Sequence, residues 1–134
     1  MKLDYLASLL VAANLGTAGE SIFIGSMPSD CTEGIMLRNP LSGIDIEHEL
    51  PGFYKSDPQV VVRSQRFDTG ESKAAAVIKA LSITQTRKVL GPNSKPSMTI
   101  NYVRARHLPI MYPRSDGNGR EWSINFSACY VILE

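Results

Sequence analysis

The chain has 134 residues, of which 43% are apolar and 20% charged, and its net charge is +1; one domain of that size buries roughly two-thirds of the surface its unfolded chain exposes. This balance is that of a soluble globular protein, and it excludes both a strongly basic nucleic-acid footprint and an acidic tail. Cys31 and Cys129 are far apart and neither belongs to a C-x-x-C pair, which argues against zinc and against a disulfide scaffold, and for two reduced thiols.

Residues Leu3 to Asn14 are predicted to form a first helix, with Leu3, Leu6, Leu10 and Ala13 on one face and Asp4 in the first turn, where the helix dipole favours it. Gly16 is the expected C′ residue, free of a Cβ penalty in the left-handed conformation. Leu6 to Ala13 is apolar, but Asp4 stands where a signal peptide carries positive charge and Asn14-Leu15-Gly16 is a poor cleavage site. With no apolar run near the ~20 residues a membrane span needs, the expectation is a soluble protein that is neither secreted nor in a membrane.

Ser21–Gly25 and Gly34–Arg38 read as two short strands stopped by Pro28 and Pro40, joined by a hairpin loop over Ser29–Glu33. Asn39 to Asp57 is bracketed by Pro40, Pro51 and Pro58 and loosened by Gly43 and Gly52. Within it Ile44 to Leu50 alternates strictly: Ile44, Ile46, His48 and Leu50 on one side of an extended chain, Asp45, Glu47 and Glu49 on the other. It is an edge strand or an extended arm.

The strongest local signal runs from Pro58 to Leu81. Pro58 to Ser64 holds the β-branched run Val60-Val61-Val62, poor helix material that fits a pleated, half-buried surface. Asp68 and Glu71 are spaced as a capping box, and Ser72 to about Leu81 carries Ala74, Val77, Ile78 and Leu81 as one apolar stripe. Lys73 and Lys79 fall outside it. Val60, Val62, Val77, Ile78, Leu81, Phe126 and Tyr130 are the expected core.

Thr86 to Pro96 is polar and turn-rich. Met98 to Arg106 alternates, with Met98, Ile100, Tyr102, Arg104 and Arg106 on one side. Ile110-Met111-Tyr112, bracketed by prolines, suits a sheet edge. Asp116-Gly117-Asn118-Gly119 is a strong hairpin signal, and Glu121 to Leu133 puts Trp122, Ile124, Phe126, Ala128, Tyr130 and Ile132 on one face. The fold class is therefore α+β: a single domain over 1–134, a mostly antiparallel sheet with two helices packed on it, plus an extended arm or β-hairpin at about 39–57.

No catalytic constellation assembles. His48 and His107 sit in unrelated segments without a nucleophile nearby, and the nucleophile-elbow, P-loop, dinucleotide and H-E-x-x-H patterns are absent. Glu47-His48-Glu49 cannot share one ion on a strand, because His48 points away from both glutamates. Arg63, Arg66, Arg104, Arg106, Arg114 and Arg120 are not interleaved with aromatics as a base-stacking platform requires, and scattered arginines suit salt bridges or protein contacts. The expectation is a non-enzyme with no metal and no cofactor.

Taken in order, Gly19 to Pro28, Leu50 to Lys55, Pro58 to Arg63, Tyr112 with Asp116 to Trp122, and Ile124 to Tyr130 resemble the minor capsid or tail-terminator proteins of long-tailed bacteriophages. The similarity covers nearly the whole chain and rests on no single diagnostic motif. It implies a structural virion protein with no catalytic residues. As a tail terminator it would form a ring, usually of six subunits, that caps the tail tube and offers a docking surface to a head-completion protein at the neck. DNA would pass through the lumen without specific binding, and the protein, made in the host cytoplasm, would reside in the virion. Another neck, head-completion or minor capsid ring protein is the alternative, and a small nucleic-acid-binding α+β domain is the reading outside that class. A ring subunit needs two different complementary surfaces. Asp45, Glu47 and Glu49 form an acidic stripe and Arg104 and Arg106 a basic pair, each with alternate residues about 7 Å apart. These five are the interface candidates, the stripes pairing either within one subunit or between neighbours.

Overall fold

In a computed structural model that describes residues 3–90, 96–113 and 119–132, the chain folds as two helices on a curled eight-stranded, mostly antiparallel sheet, the α+β arrangement expected. The elements are α1 (Leu3–Ala12), β1 (Ile22–Ile24), β2 (Gly34–Arg38), β3 (Phe53–Ser56), β4 (Gln59–Ser64), α2 (Phe67–Leu81), β5 (Arg87–Leu90), β6 (Pro96–Ala105), β7 (Ile110–Pro113) and β8 (Arg120–Ile132).

The sheet is built around β8, whose thirteen residues are paired on both edges. Along one edge β4 pairs with Arg120–Asn125 and β3 with Ala128–Val131, and the Phe126 N–H donates to Pro58 O at the junction between them. Along the other, β7 pairs with Arg120–Ser123 and β6 with Phe126–Ile132, and the Arg106 N–H donates to Asn125 O at that junction. Successive residues of a strand direct their backbone groups to opposite edges, so Asn125 and Phe126 serve one side each.

Alternation along β8 sends Trp122, Ile124, Phe126, Ala128 and Tyr130 into the core beneath the helices, where Val60, Val62, Val77 and Leu81 join them. Ile78, expected with them, is only partly buried at the rim of the core. α1 buries Leu3, Leu6, Ala7 and Leu10. It ends before Ala13, which is exposed. The left-handed residue closing it is Asn14 (φ 61°), not Gly16: the Leu15 N–H donates to Leu10 O and the Asn14 N–H to Val11 O, a Schellman closure for which Asn suffices. Gly16 is needed for space, since a Cβ there would fall 2.5 Å from Ser21 Oγ.

The start of α2 differs from the expected capping box. The helix begins at Phe67, its N-cap Arg66 makes no side-chain capping bond, and Asp68 lies in the first turn, where its charge suits the dipole. Glu71 does not reach back to the backbone; its Oε1 accepts the indole N–H of Trp122 at 2.9 Å. The buried indole requires a partner, and that demand outweighs a local cap. Gly70 sits over the same ring, where a Cβ would overlap Trp122 Cη2 and Cζ3.

Three further expectations are corrected. β1 and β2 pair in parallel, with Ile22 opposite Ile35, so residues 25–33 are a crossing connection and not a hairpin; Arg63 Nη1 holds its carbonyls at Pro28 and Cys31 (2.8 and 3.1 Å). β5 occupies part of the stretch read as a turn, its exposed Arg87 and Lys88 disguising an edge strand as a loop. In β6 the register shifts between Ile100 and Tyr102, so Met98, Ile100 and then Val103 are buried. Tyr102 and Arg104 are therefore not on the side of Met98 and Ile100, because a bulge reverses which face each later residue takes. β7 takes the edge position expected of it, but the turn at Asp116-Gly117-Asn118 lies outside the described residues, as does Arg114.

Two outcomes follow from this packing. Gly70→Ala gains about 1 kcal/mol of helix propensity, yet the clash with Trp122 should dominate and lower stability by about 3 kcal/mol in a denaturant melt. In the same assay Leu81→Ala should cost about 2–5 kcal/mol and Ile78→Ala clearly less. Tyr130 carries the second: burial, and then the neighbouring Tyr54 charge, push its phenol up to about 12. Above pH ~10 the unfolded chain loses this proton first, so the stability Tyr130 contributes is present below pH ~10 and lost as pH rises towards 12, by about 2–3 kcal/mol. Tyr130→Phe should flatten that alkaline loss in melts at pH 9 and 11.5.

Candidate functional site

The helices cover one face of the sheet. The opposite face is a polar layer in which most charged groups are engaged. Arg38 Nε donates to Gln59 Oε1, and Gln59 Nε2 donates to Ser123 Oγ at 2.8 Å. Arg63 forms a two-point pair with Glu121 (3.0 and 2.9 Å) beside the loop carbonyls it already holds. On the helix side, at the start of α2, Glu33 accepts from Ser64 Oγ and the Gln65 N–H at 3.1 and 3.0 Å, with Lys73 Nζ at 4.0 Å.

His107 belongs to this bracing. Its Nδ1–H donates to Leu108 O at 2.7 Å while Nε2 accepts from the Asn125 backbone N–H at 3.3 Å, a single tautomer that satisfies both contacts. His48 lies exposed in a different segment, so the two histidines do not converge. Among the described residues no three His, Cys, Asp or Glu side chains are grouped to hold a metal ion. A groove of about 680 Å³ between the α1 turn and α2 offers Asp68, Thr69, Ser72 and Lys73 on an open surface.

Two surfaces stand apart from the braced layer. Residues 39–52 leave the sheet after β2 and return at β3, forming no strand. Asp45, Glu47 and Glu49 are all exposed there and make no ion pair among the described residues. Ile46 and Leu50 are 66% and 54% exposed. The segment is an arm and not an edge strand, as its prolines and its lack of a core-facing side dictate.

The second surface is the β6–β7 corner and β7. Arg104 lies exposed with its guanidinium 4.5 Å from the Tyr102 ring centroid, a cation–π contact that orients it without neutralising it. Arg106 lies 3.9 Å from Asp57, with both side chains more than half exposed; such a pair contributes little. Asp57 as partner was not legible in the sequence, because only the pairing of β8 brings residues 57 and 106 together. Next to the corner, Leu108 is 82% exposed, and Ile110, Met111 and Tyr112 are exposed along β7. The structure thus brings Arg104 and Arg106 to one corner and Asp45, Glu47 and Glu49 to one arm. It does not join the two groups within the subunit.

Comparison with known proteins adds the following. The sequence-family description "Bacteriophage tail terminator protein" matches residues 9–132. No curated protein matches the sequence. Among solved structures, a chain of the "Virion of native gene transfer agent (GTA) particle" aligns with a TM-score of 0.56 at 16% identity, over 94% of this chain and 84% of that one. It shares the fold.

The engaged and unengaged charges should separate on mutation. Arg63→Ala should cost about 2 kcal/mol or more, since it strands Glu121 and two loop carbonyls. Arg104→Ala and Asp45→Ala should each change stability by less than about 1 kcal/mol in denaturant melts.

Proposed function

The chain belongs to the bacteriophage tail terminator family, a structural protein of the virion tail, and we propose that it acts as a closed ring of six copies capping the tail tube. In this reading one rim of the ring meets the tube protein, the other presents a surface to a head-completion protein at the neck, and DNA passes through the lumen without specific contacts. A net charge of +1 accords with a lumen that does not grip the duplex.

One observation carries the proposal. An acidic arm that makes no ion pair among the described residues and a basic corner held by the exposed Arg106–Asp57 pair are rooted on opposite sides of β8: the arm between β2 and β3, the corner between β6 and β7. Complementary patches on different sides of a subunit make a heterologous contact, which propagates from copy to copy and closes when the rotation allows. Asp45, Glu47 and Glu49 of one copy facing Arg104 and Arg106 of the next would set the register of the ring, because charge complementarity fixes orientation more than it adds affinity. The weak Asp57 pair yields Arg106 at little cost.

Charge reversal tests this. Glu47→Lys with Glu49→Lys should abolish assembly on light scattering while circular dichroism shows the parent fold, and adding Arg104→Glu with Arg106→Glu should partly restore it. Salt near 1 M, which shortens the Debye length to about 3 Å, should loosen the parent ring. An acidic-arm variant that still forms the parent oligomer would remove these residues from the interface.

A further inference from the structure

Four strands leave an edge unpaired among the described residues, and they are not alike. β1 is three residues long, β3 carries the exposed Lys55, and β5 carries the exposed Arg87 and Lys88; short length and edge lysines are the usual protection against strand addition. β7 is as short as β3 and β5 and is bracketed by Pro109 and Pro113, but it carries no charge. Ile110-Met111-Tyr112 is exposed; the Ile110 and Tyr112 backbone groups face Ser123 and Glu121 of β8, so the outer edge offers the Met111 N–H and the carbonyls of Pro109, Met111 and Pro113. An uncharged edge rich in free carbonyls receives an extended segment whose N–H groups donate to them.

The arm has the matching pattern. The N–H groups of Ile44 to Glu49 make no backbone hydrogen bond among the described residues, while the Leu50 N–H donates to Glu47 O in a turn that opens when the arm extends. Its strict alternation places apolar and acidic residues on opposite sides when extended. The surroundings of β7 are divided in the same way. On the helix side, Met111 stands directly opposite Trp122, and Phe67, 48% exposed, lies 6.2 Å from that ring, so the two form an apolar ledge. On the other side Arg104, opposite Ser127, shares the polar face with Glu121 and Ser123. A strand added to β7 with Ile44, Ile46, His48 and Leu50 on the ledge side turns Asp45, Glu47 and Glu49 towards the arginine corner.

We infer that the open edge of β7 is a docking site for residues Ile44–Leu50 of a second copy of this chain, which add to the sheet as an extra strand. This rests on the ring proposed above and specifies how its subunits join: main-chain bonds supply the contact, and the alternating side chains fix the face. A seven-residue strand spans about 23 Å, enough to cover β7 and reach the corner before it. The arm emerges across β8 from β7, so a copy that donates its arm keeps its own β7 free for the next donor, as a ring requires.

Amide hydrogen exchange read by mass spectrometry distinguishes strand pairing from a contact between charges alone. The parent protein, assembled alone or on the phage's own tail tube, is compared with the monomeric Glu47→Lys, Glu49→Lys variant. Exchange at residues 44–49 and at Met111 should slow by about tenfold or more in the assembly, as paired backbone requires. Ile46→Lys with Leu50→Lys should leave the monomer's circular dichroism unchanged and prevent both assembly and protection. If the oligomer forms and either segment exchanges as in the monomer, the strand addition is wrong and the ring stands. If the parent remains monomeric even with tail tube, the ring reading falls, and this inference with it.

Discussion

The structure depends on one strand being satisfied along both edges. β8 spans about 43 Å at the usual strand rise, and four different segments pair with it, β3 and β4 along one side, β6 and β7 along the other. A buried strand tolerates no orphan N–H or C=O, so its length obliges the rest of the chain to supply partners in collinear pairs. That requirement produces the two breaks, at Asp57-Pro58 and at residues 106–109, where one partner hands over to the next. The second break carries the basic corner. The first carries Asp57, and the arm reaches β8 through β3.

The other constraint is the fit of α2 over Trp122. The ring is fully buried beneath a helical glycine, its N–H is held by Glu71, and Phe67 flanks it. A helix placed through one large side chain cannot slide or rotate without overlapping it, since interiors are packed like crystals. This fixes where α2 begins, and so sets the half-exposed Phe67 against the Trp122 ring, whose strand neighbour is Met111. The apolar ledge next to β7 follows from the packing of the core.

The polar face shows how the molecule separates structural charge from available charge. Arg63 is 12% exposed and meets a carboxylate and two carbonyls; its removal strands all three. Arg104, set over Tyr102, and the three carboxylates of the arm meet no opposite charge among the described residues. A tail protein that must assemble in one orientation needs a rigid body with a few uncommitted groups at defined places, and the braced sheet provides the body. Membership of the tail terminator family and the fold shared with a virion chain accord with that division.

Much of the fold was legible because it follows from periodicities a chain writes locally. The alternation from Trp122 to Tyr130, the β-branched run in β4 and the stripe of Ala74, Val77 and Leu81 name the two layers and most of the core. The stretch from Asn39 to Asp57 was legible only as an edge strand or an extended arm, and β3 within it at Phe53–Ser56 was not marked off. What stayed hidden involves partners distant in sequence. Glu71 and Gly70 read locally as a cap and a turn, and only Trp122, fifty residues on, makes one an acceptor and the other a clearance. The parallel pairing of β1 with β2 goes with a connection held by the distant Arg63, and the register shift between Ile100 and Tyr102, which turns Arg104 away from the core, has no local signature. By itself the sequence determined which residues seek burial and which stretches are extended or helical, because those preferences act over a few residues. Only the tertiary structure decided which strands pair, which charges are spent on bracing and which edge is left open, because each depends on groups that meet nowhere except in the folded sheet.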